Sequence, residues 1–359
     1  MMQILNRRRF VGQLVAGAAA AAACGITATC LRAGEQAVVV GGGPAGAAAA
    51  LALRMARPNA PVLLVERDPS RLGRAEAAPF DRPAAGPDLD ALRRAGVGVV
   101  RDDVVDLDWR AARLSLFSGR SLAFDRLLLA PGTAAVEEPI PGLDTVARHL
   151  WPAAWGSARE ARRLKAQLAA LPETGHVVLR LPDVPSHPDA ALDRALQLAA
   201  LLDRTRPRGR LTILDASAGT DLAERFQSAF AAQGLRTATE WRTVSNGGTV
   251  LRVDAGRGLL ETNAGPVHAD VVNFVTRQGA GRIARTAGLV DASEWCPTDA
   301  AGRSTQRPEA IILGDARKQA RRNVAEALLS ARAAAALLGL ARGGRSPLRC
   351  GAAAAKPAP

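Results

Sequence analysis

The residues of this chain best suited to chemistry form one short run, Gly41-Gly42-Gly43-Pro44-Ala45-Gly46, in which glycines 41, 43 and 46 follow a G-x-G-x-x-G spacing. That spacing suits a phosphate. The first glycine allows a tight turn, the second lets backbone amides approach a pyrophosphate, and the third lets a helix lie close to a strand. Glu66 follows Gly46 by twenty residues, where a carboxylate would accept hydrogen bonds from ribose hydroxyls. In a chain rich in alanine and glycine the same run also occurs as a plain tight turn, so its meaning depends on its flanks. The other reactive side chains are dispersed. His149, His176, His187 and His268 stand far apart, and no group of Cys, His, Asp and Glu has metal-ligand spacing.

The flanks supply strand, turn and helix. Residues 36–40, Gln-Ala-Val-Val-Val, form an apolar strand that ends at the loop, and an alanine-rich helix runs from Ala47 to Met55. A second strand, Pro61 to Val65, delivers Glu66. The helix start then offers free amides and a positive dipole end to the phosphates. This much implies a dinucleotide and does not choose between NAD and FAD. Two later strands choose. Phe124 to Leu129 runs into the small-residue turn Ala130-Pro131-Gly132, and Ile311-Ile312-Leu313 ends in Gly314-Asp315. In flavoproteins with two dinucleotide domains such a Gly-Asp closes the last strand of the FAD domain, and its aspartate meets the ribityl or pyrophosphate region. FAD is therefore the expected cofactor, with Gly41, Gly43, Pro44, Ala45, Gly46, Glu66, Ala130, Gly132, Gly314 and Asp315 as its contacts.

The fold class that follows is α/β, with two Rossmann-like, doubly wound domains. The FAD-binding domain is discontinuous, 35–150 and 271–340, with the second domain, 151–270, inserted. That insert repeats the βαβ plan, with strands at His176 to Leu181 and Arg210 to Leu214 around a helix from Ala190 to Leu202. Its first turn, Leu181 to Pro188, contains no glycine. A phosphate cannot approach such a backbone closely, so no nicotinamide cofactor is expected there. An alanine-rich helix spans Val324 to Leu340, and 341–359 reads as a disordered tail.

At 359 residues and 48% hydrophobic content the chain can fill two cores. Its net charge of +13 comes almost wholly from arginines scattered among acids; only Lys165, Lys318 and Lys356 are lysines. With aromatics at 3% and no tyrosine, the pattern lacks the basic stripe and stacking platforms of a nucleic-acid binder. Residues 1–34 read as a targeting segment. Asn6-Arg7-Arg8-Arg9-Phe10-Val11 precedes an uncharged alanine-rich run to Leu31, as in a twin-arginine export signal. An N-terminal membrane anchor is the alternative. Cys24 and Cys30 lie in or beside this segment and receive no chemistry. Export leads to the periplasm, through a pathway that carries folded, cofactor-loaded proteins, and no stable membrane insertion is expected after cleavage.

At this point the chain resembles the flavoprotein subunit of flavocytochrome c sulfide dehydrogenase, a relative of sulfide:quinone oxidoreductases in the FAD-dependent pyridine nucleotide-disulfide oxidoreductase-like superfamily. The likeness rests on His268-Ala269-Asp270-Val271-Val272-Asn273, Gln278, Ala280-Gly281-Arg282-Ile283-Ala284, Ala287-Gly288-Leu289, Trp295-Cys296-Pro297 and Gly314-Asp315-Ala316, with Trp155 and Asp193-Arg194-Ala195. It implies a periplasmic FAD enzyme that oxidises sulfide, or another small sulfur donor, through a cysteine pair and passes electrons to a c-type cytochrome subunit. The departures fall on that chemistry. The segment of one redox cysteine holds His187 or its neighbour, and Cys350 is the only candidate for the other, hence the catalytic residue expected here. The cysteine that tethers FAD in the family would fall near Arg74, in a stretch without cysteine, so the FAD is expected to be non-covalent. Thr276-Arg277 replaces a proline pair, the segment that covers the flavin is shortened to Arg317 through Asn323, and the family's C-terminal interface domain is missing. Cys296 reads as a buried structural cysteine, and His187 as an acid or base near the flavin or as a surface residue in a proline-rich turn. Two other functions remain open: a catalytically degenerate FAD-binding paralogue acting as a scaffold, and a membrane-associated quinone reductase.

Overall fold

The computed structural model describes residues 36–74 and 85–340. The run Ala-Val-Val-Val becomes the strand β1 (Ala37–Val40), buried at every position. It lies parallel between β2 (Val62–Val65) and β4 (Arg126–Leu129), with β3 (Gly98–Val100) beyond β2. A central strand covered on both faces has no place for a polar side chain, which is why alternation is absent. Between β1 and β2 the chain forms helix α1 (Pro44–Ala56), with Pro44 at its first turn, where the missing N–H is no loss.

The second sheet follows in sequence, with helix α2 (Ala158–Ala169) ahead of it. It contains β5 (His176–Leu181), β6 (Arg210–Asp215), β7 (Ala238–Arg242) and β8 (Val271–Phe274), all parallel, in the order β7-β6-β5-β8. Helix α3 (Pro188–Thr205) joins β5 to β6 and buries Ala195, Leu198, Ala199 and Leu202 against Leu179, Leu211 and Ile213. The chain then returns to the first sheet as β9 (Ala310–Ile312), giving the order β9-β4-β1-β2-β3. One expectation is corrected. The strand at 271–274, read from sequence as the start of the resumed FAD-binding part, pairs with β5 in the second sheet. Its four apolar-dominated residues are all buried, and the unpaired edge of β5 is where that surface can be covered.

Helix α4 (Val324–Leu340) packs on α1. The contact is made by small residues, Ala45, Ala49 and Ala50 on one side and Ala327, Ala331 and Ala334 on the other, so the two backbones approach closely and leave few voids. The alanine excess of the sequence is thus used at a specific interface.

The chain crosses between the sheets twice, and both crossings meet at one buried ion pair. Arg180 of β5 reaches the Glu138 carboxylate in bidentate fashion, at 2.9 and 2.6 Å. Glu138 also accepts the Arg277 N–H at 2.6 Å, and Arg180 donates to the Val275 carbonyl at 2.9 Å. Removing either partner would strand a charge in the interior, a loss of about 3–5 kcal/mol in comparable pairs.

His176 opens β5 and is buried. Its ring bonds the His268 carbonyl, and Nε2 lies 2.8 Å from the Thr212 hydroxyl. Burial holds its pKa below 6.5, aided by the Arg210 and Arg242 charges and opposed by the His268 carbonyl and Asp270. A depressed histidine pKa means that the unfolded chain binds the proton more readily, so stability present above the unfolded value is lost as pH falls below it. The melting temperature should therefore drop between about pH 7.5 and about pH 5.5, and less steeply in His176→Gln. Parallel slopes in a thermal-melt series would show that His176 is not responsible.

Candidate functional site

The loop after β1 is shaped by what each glycine meets. Gly41 has φ +98°, and a Cβ there would stand 2.2 Å from the Ala130 carbonyl oxygen. A Cβ on Gly46 would stand 1.8 Å from the Gly41 carbonyl oxygen. Both positions are filled by the fold itself. Gly43 differs, since a Cβ there would meet nothing within 4 Å, and the residue faces a cavity. Gly43 is also the N-cap of α1 and makes no side-chain cap bond, so the first amides of the helix are left for an external partner. Glu66, at the end of β2, holds the turn: one carboxylate oxygen accepts the Gly42 N–H at 2.7 Å and the other the Asp68 N–H at 2.9 Å.

The cavity measures about 450 Å³ and opens at the carboxyl ends of β1 and β4, the point where the strand order reverses and where open α/β sheets bind ligands. Its wall includes all ten expected cofactor contacts: Gly41, Gly43, Pro44, Ala45, Gly46, Glu66, Ala130, Gly132, Gly314 and Asp315. Cys350 lies outside the described residues, as do Cys24, Cys30 and the targeting segment. Arginines line the rim. Arg67 and Arg282 both pair with Asp103, at 3.6 and 2.7 Å.

Asp315 is carried on the turn Gly314–Ala316 after β9, and the Gly314 N–H donates to Ser330 Oγ of α4 at 3.0 Å. Its Oδ1 is buried without a protein partner, while Oδ2 lies 3.4 Å from His187 Nε2. An orphaned carboxylate oxygen in a cavity wall fits a ligand hydroxyl. His187 needs a correction. The reading as a surface histidine in a proline-rich turn fails, because the residue is only 5% exposed and faces the same cavity. The turn after β5 points at the first sheet, and sequence alone does not register that packing.

Behind His187 stands Trp155, edge-on at 6.1 Å between ring centroids. Arg194 of α3 lies 5.6 Å from that indole and is fully buried. It donates to Asn273 Oδ1 at 2.7 Å and to the Ala154 carbonyl at 2.9 Å, and burial brings its pKa down to about 10. Asn273 in turn donates to the Pro152 and Ala153 carbonyls. The scattered family positions Trp155, Arg194 and Asn273 are therefore one buried network that fixes the loop behind the cavity.

Two further elements frame Asp315. The segment Arg317–Asn323 is held by Arg322, whose guanidinium stacks 3.6 Å over Trp295 and donates to the Asp315 and Arg317 carbonyls at 3.2 and 3.3 Å. Cys296 pairs through its backbone with Ala316 and Lys318. Its thiol is fully buried, and burial pushes its pKa up to about 12, so it packs as a small apolar group and is inert as a nucleophile.

The second sheet offers no equivalent loop. Asp215 ends β6, the counterpart of Glu66; its oxygens accept from Ser217 N–H and hydroxyl and from Trp241 Nε1, and unlike Glu66 it does not line the cavity. An acid at that strand end was a readable signal in the sequence; its packing was not.

Residues 161–276 match the family model described as sulfide dehydrogenase (flavocytochrome c) flavoprotein chain, central. Residues 35–178 match that of pyridine nucleotide-disulphide oxidoreductase. Among solved structures, the sulfide:quinone oxidoreductase of the hyperthermophilic bacterium Aquifex aeolicus is similar with a TM-score of 0.64 at 17% identity, over 85% of this chain and 76% of that one. A ferredoxin reductase from Rhodopseudomonas palustris gives 0.62 at 17% identity, over 85% and 76%. An NAD-dependent persulfide reductase from A. fulgidus gives 0.62 at 18%, over 87% and 60%. At such identities these structures share the fold: an α/β chain with two Rossmann-like sheets.

The contrast between Gly43 and Gly46 is testable. Gly43→Ala should leave the melting temperature near that of the wild type while lowering flavin content severalfold. Gly46→Ala should lower both, because its methyl group collides with backbone. Equal flavin content in Gly43→Ala and wild type would show that nothing approaches this amide closely.

Proposed function

We propose that this chain, a flavoprotein of the pyridine nucleotide-disulphide oxidoreductase family related to sulfide dehydrogenase, holds FAD non-covalently, takes electrons from a small sulfur donor and hands them to a c-type cytochrome. The observation that carries the cofactor reading is the pairing of two features in one cavity: open space at Gly43 beside the free amides of α1, and the partnerless Oδ1 of Asp315. The first suits a pyrophosphate and the second a polyol hydroxyl, and Glu66 stands at the ribose position. When bound, FAD supplies two-electron oxidation and one-electron delivery.

The residues of the chain do the rest. The helix start and arginine-lined rim bind and orient the anionic cofactor, Arg322 with Trp295 fixes the segment beside it, and the Arg194–Asn273 network fixes the opposite wall. Non-covalent attachment is supported by cysteine usage: among residues 36–340 only Cys296 is a cysteine, and it is buried. A donor other than a nicotinamide is supported by the glycine-free turn after β5. The cytochrome acceptor is supported by the flavocytochrome c description of the matched central region. Periplasmic placement rests on the twin-arginine run at Asn6 to Val11.

A second reading, a paralogue that keeps the cofactor without the reaction, is favoured by one observation: the one cysteine among the described residues has no access to the cavity. Anaerobic addition of sulfide to the purified protein separates the two. Loss of the flavin band at about 450 nm, restored by oxidised cytochrome c, is the expected result. A band that persists under excess sulfide would exclude sulfide as donor and favour the second reading.

A further inference from the structure

The cavity wall between α3 and the Gly314–Ala316 turn contains polar groups that are not among the expected cofactor contacts. His187 Nδ1 lies 2.7 Å from Ser186 Oγ, and Nε2 lies 3.4 Å from Asp315 Oδ2. Trp155 is 4% exposed and lines the cavity, yet its Nε1 is buried with no protein partner. A buried N–H without an acceptor is unfavourable, and in a cavity wall it marks where a ligand atom belongs.

We infer that Trp155 and His187 form a subsite for a small electron donor carrying an ionisable O–H or S–H, that His187 is the catalytic residue that takes its proton, and that Ser186 positions its ring. This rests on the flavin reading above. In the tautomer that carries its proton on Nδ1, donated to Ser186 Oγ, the Nε2 lone pair is available to a proton. The donor's X–H bond breaks, the proton forms the Nε2–H bond, which then points to Asp315 Oδ2, and the electron pair left on X makes the donor a stronger reductant toward the flavin, which would be the two-electron oxidant. Trp155 Nε1 donates to a lone pair of the seated donor. The charged groups around the imidazole are Asp189 and Asp193 from α3, Asp315 and Arg322 from the facing turn, and Arg194 behind the indole. The described residues place no thiol at this wall, so the chemistry they offer is proton transfer and not thiol exchange.

The test uses the full, flavin-loaded chain labelled with nitrogen-15, with flavin content measured first. Hydrogen sulfide and lactate are the probes for the S–H and O–H sources. Binding of one of them should shift the Trp155 indole N–H signal and the ring-nitrogen signals of His187. Trp155→Phe, which keeps the ring and loses the donor, should bind that probe about tenfold more weakly. His187→Gln should retain flavin and reduce it at least about 100-fold more slowly. The wild-type spectra carry the test even if a variant fails to fold. Signals unmoved by either probe, or wild-type reduction rates in His187→Gln, would overturn this assignment. Wild type without flavin would instead overturn the cofactor reading, which the prior measurement shows separately.

Discussion

A hydrogen atom is the largest substituent that Gly46 can carry, because the Gly41 carbonyl oxygen occupies the space where a Cβ would sit. That contact sets the angle at which α1 leaves β1. From it follow the position of the α1 N-terminus over the crevice between β1 and β4, and the line along which α1 meets the alanine face of α4. The same turn brings Gly41 against Ala130 and Gly42 onto the Glu66 carboxylate. Strand ends remote in sequence are thereby gathered around one cavity. The amides at the helix start then face a space that protein atoms do not fill, the condition for binding an anion.

The opposite wall depends on charges buried inside the protein. Arg180 with Glu138 ties both crossings to the second sheet, and Arg194 with Asn273 ties α3 to the loop that carries Trp155. Arg322 does the same for the segment after Asp315 through main-chain carbonyls and the Trp295 face. These guanidiniums explain part of the arginine excess. A planar fork of five N–H donors can satisfy several carbonyls in a fixed geometry, where a lysine offers three rotatable donors. Partner loss at such sites is severe, since an unpaired buried charge remains.

What could be read from the sequence was what is local. The glycine spacing, the strand before it, the helix after it and Glu66 lie within some thirty residues, and their meaning comes from short-range geometry. Asp315 was legible for a similar reason, as the end of an apolar strand. His187 was not. Its partner Asp315 is 128 positions away, and a proline-rich turn looks the same whether it faces solvent or another sheet. The edge strand Val271–Phe274 was misplaced because a buried apolar run carries no mark of which sheet it completes. Asp215 shows the converse: its type and position suit a ribose, yet it is packed under Trp241 and Ser217 and does not line the cavity.

The central claim is that the cavity at Gly43 and Asp315 holds a non-covalent flavin dinucleotide, and an absorbance spectrum of the purified protein before and after acid precipitation tests it most directly. The native protein should show a flavin spectrum, and the supernatant should be yellow once the protein is precipitated. A colourless native protein that takes up no added FAD would contradict it, and colour retained in the pellet would contradict the non-covalent attachment.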